Sequence, residues 1–243
     1  MNFSASVITL DPDSPRFKEF ESNNRHLQYK VFKGIRGAEI PENVRIEKGY
    51  VTAEASASGQ ITNGSLGAAL SHWSLWQEAV NADTGILIME DDVITHPKIW
   101  NQLESVPKLA TADVVFFGLN TNSVLEVITP EGLRKVSLFH PKHPDTEWIA
   151  DTLSKTKVET VRYSRLLKCF GCCCYFVTPK GASVLSETIF PLRLEGVEIP
   201  LITKSMPGVG VDRRMNALFG SMKALIADPF LAYTPNVDSS TSK

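Results

Sequence analysis

No run of about 20 apolar residues occurs anywhere in the 243-residue chain, so nothing in it reads as a membrane-spanning helix. The opening residues, Met1-Asn-Phe-Ser-Ala-Ser6, lack the basic start and long apolar stretch of a signal peptide, and a cytoplasmic protein is the expectation. Net charge is also scarce. At −2 it exerts no overall pull toward nucleic acid or an anionic bilayer. No Gly-x-x-x-x-Gly-Lys-Ser/Thr loop is present, which argues against P-loop phosphate chemistry, and no internal repeat is visible. What is present is enough apolar sequence, 43%, to bury a core. The length suits one large α/β domain, or at most two small ones.

Cysteine is sparse and confined. Cys169, Cys172, Cys173 and Cys174 are the only four, and three of them are sequence neighbours, a poor geometry for ordinary disulfides. Cys169 and Cys172 form a C-x-x-C, but a tetrahedral zinc site usually draws on a second, separated ligand pair, and there is none. The cluster therefore reads as part of a buried strand, Cys172 to Val177, in which thiols pack like small apolar side chains.

Strand and helix signals alternate along the chain. Ser6–Leu10 and Tyr29–Phe32 read as strands, with a helix from Arg16 between them. Residues 38–64 are polar and irregular, a surface excursion. From Leu66 to Val80 the residues Leu66, Ala69, Leu70, Trp73, Trp76 and Val80 recur at helical spacing and form one apolar stripe. Ile86–Met89 is the next strand, a helix follows Pro97, and Asp113–Gly118 is a further strand. Residues 120–165 read as loops or a flap over a site. A short helix follows Pro179, and the Ser/Thr-rich end, 236–243, reads as a loose tail to a single domain of residues 1–235. This alternation predicts an α/β fold with a mainly parallel sheet covered by helices on both faces.

The most informative stretch is Gly85-Ile-Leu-Ile-Met-Glu-Asp-Asp-Val93, a buried strand running into three carboxylates. Adjacent like charges repel by about 4 kcal/mol at ~4 Å with an effective dielectric of ~20. Such a cluster either lies in open water or is given a cation. In open parallel sheets ligands bind beyond the carboxyl ends of the strands. If the chain stays extended there, Glu90 and Asp92 point together and Asp91 turns away. Two oxygen donors at that spacing suit Mg²⁺ or Mn²⁺. The competing reading is a solvated acidic loop.

Other residues carry similar pairs of readings. Asp212 follows Gly208-Val-Gly210, where a loop can approach a ligand, and is either a general base or the N-cap of a helix over Arg213–Phe219. His72 sits at the edge of the apolar stripe, as a ligand contact or a core-edge histidine bonded to a backbone carbonyl. Ser71 lies on a different helical face. Trp73 and Trp76 read as core rather than as a sugar-stacking platform. Arg16 follows a strand end and suits a diphosphate, or a solvated helix start. Asn63, Gly64 and Ser65 read as the cap of the Leu66 helix.

Gly67-Ala-Ala-Leu-Ser-His72 followed by Ile86-Leu-Ile-Met-Glu-Asp-Asp-Val93, in this order and at this spacing, resembles glycosyltransferase family 25, which includes bacterial lipooligosaccharide galactosyltransferases. Val7-Ile-Thr-Leu10 with Ser14-Pro-Arg16 looks like the family's opening strand and Arg-bearing turn. Gly34-Ile-Arg-Gly37, Asp113–Gly118, Gly171–Leu185 and Val211-Asp212 are similar to further family segments. Residues 38–60 and 120–165 fall outside the resemblance, and Ser65 and Ala68 stand where the family usually has Glu and often Cys. The resemblance implies a GT-A-like fold and transfer of a sugar, most simply galactose from UDP-galactose, with inversion onto a saccharide acceptor of lipooligosaccharide. It implies Mn²⁺ or Mg²⁺ on Glu90 and Asp92, and donor contacts from Leu10, Arg16, Gly37, Ser71, His72, Glu90 and Asp91. Asp212 is the base candidate, with His72 beside it in the catalytic set. The partners implied are a nucleotide-sugar donor and a saccharide acceptor, not nucleic acid. The setting is the cytoplasm, with peripheral association at the inner membrane. Two other classes stay open on the residues alone: another metal-dependent nucleotidyl or phosphoryl transferase, and a catalytically silent nucleotide-sugar-binding relative.

Overall fold

Apolar alternation on both faces of each central strand forces helices onto both sides of the sheet. In the computed structural model, which describes residues 3–105, 109, 111–199 and 202–235, the chain begins with β1 (Phe3–Thr9), α1 (Pro15–Asn23) and β2 (Lys30–Lys33). Three helices follow: α2 (Glu42–Glu47), α3 (Ala53–Ala57) and α4 (Asn63–Asn81). Next come β3 (Gly85–Glu90), β4 (Ile94–Thr95), α5 (Ile99–Ser105) and β5 (Val114–Gly118). The hairpin of β6 (Val124–Ile128) and β7 (Arg134–Leu138) leads to α6 (Thr146–Lys155), β8 (Arg162–Lys168) and β9 (Cys174–Val177). The chain then forms α7 (Pro179–Thr188), β10 (Gly196–Ile199), β11 (Ile202–Pro207), α8 (Val211–Asn216), β12 (Ala224–Asp228) and β13 (Ala232–Tyr233).

The main sheet has nine strands in the order β2-β1-β3-β9-β5-β12-β8-β6-β7. It is mixed, which corrects the expectation of a mainly parallel sheet. β1 runs parallel to β2 and β3, and β5 parallel to β12, but β9 enters antiparallel between β3 and β5. β8, β6 and β7 are antiparallel to their neighbours as well. Helix–strand alternation along the sequence does not record insertion order: β9 arrives late in the chain and fills a central slot from the opposite direction.

Each face of the sheet has its own core. Ile86, Ile88, Phe116 and Tyr175 pack beneath α4, α7 and α8 through Leu66, Trp76, Leu185 and Met215. Leu87, Met89, Phe117 and Phe176 pack on the other face with Phe17 and Phe20 of α1 and Ile99 of α5. α4 carries the expected stripe, with Leu66, Ala69, Leu70 and Trp76 buried, Trp73 half-buried against Phe190, and Val80 exposed at the last turn. The cap of α4 is Thr62, whose side chain accepts from Ser65 N–H, and not Asn63 to Ser65.

Two regions read as irregular are ordered. Residues 38–64 hold α2 and α3, helices too short to show a period, tethered by Arg45 to the carbonyls of Ile40 and Gly37 and to Asn63. Residues 120–165 are not a flap. They extend the sheet through β6 and β7 and supply α6, whose Ile149 and Leu153 pack on Ile94 and Tyr233. The strand expected from Cys172 begins at Cys174, and all four cysteines are free and buried. The tail expectation lies outside the described residues. Among those residues no helix is long and apolar enough to cross a membrane.

Candidate functional site

β1, β2, β3 and β5 point their carboxyl ends the same way, and the loops leaving them ring one cleft of about 900 Å³. Leu10 and Asp11 come from the end of β1, and Gly34–Gly37 from the end of β2. Glu90 and Asp91 come from the end of β3, and Asn120 from just beyond β5. Gly171 and Cys172 precede β9, which runs the other way and so begins at the same edge. The first turns of α1 and α8 and the first half of α4 complete the wall with Arg16, Asp212, Asn63, Ser71 and His72. Every residue expected to touch donor or metal or to act in catalysis lies on this cleft except Asp92.

The acidic triplet differs from expectation at that point. β3 ends at Glu90 and the chain turns over Asp91 and Asp92, so strand alternation no longer governs which carboxylates face together. Glu90 and Asp91 face the cleft, while Asp92 faces a separate cavity of about 260 Å³ with Phe20, Asn23 and Ile94. The cation in this cluster is Arg16. Ser14 caps α1 by accepting from Phe17 N–H, with Pro15 opening the helix, and this start aims Arg16 back at the turn. Its Nε lies 2.7 Å from Asp91 Oδ1 and its Nη2 3.0 Å from Asp92 Oδ2. Burial opposes the guanidinium charge, but Asp92 and Asp91 outweigh it and raise its pKa. The Asp92 carboxyl is pushed up to about 6, chiefly by burial and then by Glu90, with Arg16 and the Thr234 hydroxyl opposing. Glu90 and Asp92, expected to face together, thus open onto different spaces, and Arg16 is shared between Asp91 and Asp92. Among the described residues no group of three His, Cys, Asp or Glu side chains is placed to hold a metal.

The Gly and Ser of the α4 motif turn out to join segments. A Cβ on Gly67 would stand 2.3 Å from the carbonyl oxygen of Ile35, and one on Gly37 would stand 2.1 Å from that of Asn63. Both positions must be glycine for the 35–37 loop to lie against α4. Ser71 locks the contact, its Oγ accepting from Ile35 N–H at 2.8 Å and donating to Gly67 O at 2.7 Å. Ser71 thus shapes the wall, its hydroxyl accepting one hydrogen bond and donating another.

His72 is buried and bonded to a side chain, not to the backbone carbonyl allowed for it. Trp76 Nε1–H donates to Tyr175 Oη at 2.9 Å, and that oxygen lies 2.8 Å from His72 Nδ1. The indole can only donate, so the arrangement that also gives the buried tyrosine's own proton an acceptor is donation to Nδ1. The imidazole hydrogen is then on Nε2, which lies 3.8 Å from Glu90 Oε1. His72 backs Glu90 from beneath the cleft floor.

Asp212 stands in the first turn of α8, whose N-cap is Gly210, which corrects the N-cap reading. Its carboxylate accepts Arg213 N–H at 2.8 Å and Gly171 N–H at 3.1 Å, one on each oxygen. Asn216 binds the backbone of Cys169 and accepts nothing from the cleft. Burial first, and then the Asp212 and Glu90 carboxylates, push the Cys172 thiol well up. Cleft residues that the sequence reading missed are Asn120, Arg36 and Arg213. Position was the available signal for Asn120, which follows a strand whose carboxyl end lies at the cleft.

Fold and site together define an α/β protein with a ligand cleft at the carboxyl edge of its sheet. The model of glycosyltransferase family 25 (LPS biosynthesis protein) matches residues 5–199, and the chain belongs to that family. A Haemophilus influenzae protein named "Putative glycosyltransferase" is 25% identical over 186 residues. That match takes in 75% of this chain but 56% of the relative, so the chain spans little more than half the relative's length. Among solved structures, A197 from STIV aligns over 93% of this chain and 81% of its own at 10% identity and a TM-score of 0.40, too low to carry an argument.

Proposed function

We propose that the protein transfers a hexose from a nucleoside diphosphate donor, UDP-galactose, onto a saccharide hydroxyl of lipooligosaccharide with inversion at the anomeric carbon. The observation that carries this reading is the convergence of β1, β2, β3, α4 and α8 residues on one cleft, in a chain of a glycosyltransferase family. Its volume lies in the range of small-molecule sites. The donor diphosphate lies toward Arg16 and Arg36, near the amide-rich first turn of α4. These groups supply positive charge as the bond from the anomeric carbon to the phosphate oxygen breaks. Asp212, held by two backbone N–H groups, takes the proton of the acceptor hydroxyl as its oxygen bonds to the anomeric carbon from the opposite face. His72, fixed by Tyr175, keeps Glu90 oriented toward the donor sugar. The reaction runs in the cytoplasm, with the lipid-linked acceptor at the membrane face.

The test is transfer from a panel of UDP-sugars, read by mass spectrometry, with the product anomer assigned by NMR, beside calorimetric binding of UDP. UDP-galactose should be the best donor and the anomer should invert. Asp212→Asn should keep UDP binding within about twofold and cut turnover by roughly a thousandfold or more. Retention of the donor anomer, or loss of UDP binding in Asp212→Asn, would refute the assignment.

A further inference from the structure

We infer that Asn120 is a specificity-determining residue that reads the acceptor sugar, hydrogen-bonding the ring hydroxyl beside the one that attacks; this rests on the transfer reaction proposed above. Asn120 leaves the carboxyl end of β5 two residues after Gly118 and lines the cleft half-buried. Its backbone is anchored, since its N–H donates to Phe170 O at 2.9 Å and the preceding Leu119 is fully buried. Its side-chain amide makes no hydrogen bond among the described residues, whereas the nearby Asp212 and Asn216 side chains are both engaged.

The placement of that amide is enforced by a glycine. Gly171 has φ +85°, and a Cβ there would stand 2.3 Å from both Cγ and Oδ1 of Asn120. No side chain fits at position 171 while Asn120 keeps its place. The same Gly171 donates its N–H to Asp212 Oδ2 at 3.1 Å. One residue therefore holds a carboxylate on one side and an uncommitted amide on the other.

The chemistry of the pair selects its ligand. A carboxylate only accepts, and an arginine only donates. An amide does both, which matches a sugar hydroxyl that must donate and accept in turn. If Asp212 receives the proton of the attacking hydroxyl, the adjacent hydroxyl of the same ring falls toward the group across Gly171. That placement favours the acceptor over the donor sugar, whose diphosphate in the proposed reaction lies toward Arg16 of α1 and not toward Gly171.

The experiment uses UDP-galactose with a panel of p-nitrophenyl hexosides and, for the one that turns over, its monodeoxy analogues. Asn120→Ala should raise the acceptor KM about tenfold, the scale of one lost neutral hydrogen bond, with donor KM and UDP affinity unchanged within about twofold. Wild type should lose the same factor on the acceptor lacking the adjacent hydroxyl, and Asn120→Ala should lose nothing more on it. A rise in donor KM instead would move Asn120 to the donor sugar and overturn the inference. An unmoved acceptor KM, or equal losses on every deoxy analogue, would make Asn120 structural and also overturn it. Absence of transfer by wild type from UDP-galactose to any acceptor of the panel would overturn the parent reaction, and the inference with it.

Discussion

Replacing Asp92 by Asn is the sharpest test of where the acidic turn points. The side chain is 6% exposed, and its carboxyl is pushed from 3.8 up to about 6. Folding thus holds this proton more tightly than the unfolded chain does. Between about pH 4 and 6 the unfolded state binds fewer protons, so the contribution of Asp92 to stability falls as pH rises through that window. At 1.36 kcal/mol per unit, the charged form costs roughly 3 kcal/mol above pH 6 and nothing below about 4. Asn keeps the shape and hydrogen-bonding capacity of the protonated acid, and Arg16 retains Asp91 at 2.7 Å. Asp92→Asn should therefore exceed the parent in stability at pH 7.5 by about 1–3 kcal/mol, or several degrees in Tm for a chain of this size, and match it near pH 4. The assay is urea denaturation of both proteins across pH 4–8, so that the other carboxylates cancel in the difference. UDP affinity should stay within about tenfold of the parent. A variant less stable at pH 7.5, or a difference flat across pH, would show that Asp92 is a stabilising charge and refute the reasoning.

Three further outcomes follow from the cleft and core. Because Arg16 already pairs with both Asp91 and Asp92, UDP affinity measured by calorimetry should differ by less than about tenfold between EDTA and Mn²⁺; a hundredfold gain with Mn²⁺ would mean that Arg16 yields these acids to an ion. Tyr175→Phe leaves the Trp76 indole and His72 Nδ1 without their partner, so it should cost about 1–3 kcal/mol by urea denaturation, and nitrogen NMR of the parent should place the His72 proton on Nε2; a proton on Nδ1 in the parent would overturn the hydrogen-bond chain. Gly67→Ala drives a methyl into the Ile35 carbonyl and should cost roughly 1–3 kcal/mol in the same assay while lowering UDP affinity, since the 35–37 loop must back away; unchanged stability and affinity would sink the account of the motif.

Much of the frame was legible because its causes are local. The apolar run before Glu90 makes β3 wherever the chain goes, and the helical spacing from Leu66 makes α4. Gly37, Gly67 and Ser71 stood out in the sequence as a pattern, but their job is to let two segments touch, and that needs both segments in place. The sheet's mixed order escaped the sequence because β9 is placed by long-range pairing with β3 and β5, which no local period encodes. The same limit applied to the acidic turn. Alternation predicts which carboxylates agree in direction only while the chain stays extended, and it bends one residue after Glu90. What Asp92 faces was then decided by Arg16, 76 positions earlier in the chain. Asn120 depended on tertiary structure most of all, since an amide becomes a candidate contact only when Gly171 and Asp212 arrive beside it from distant parts of the sequence.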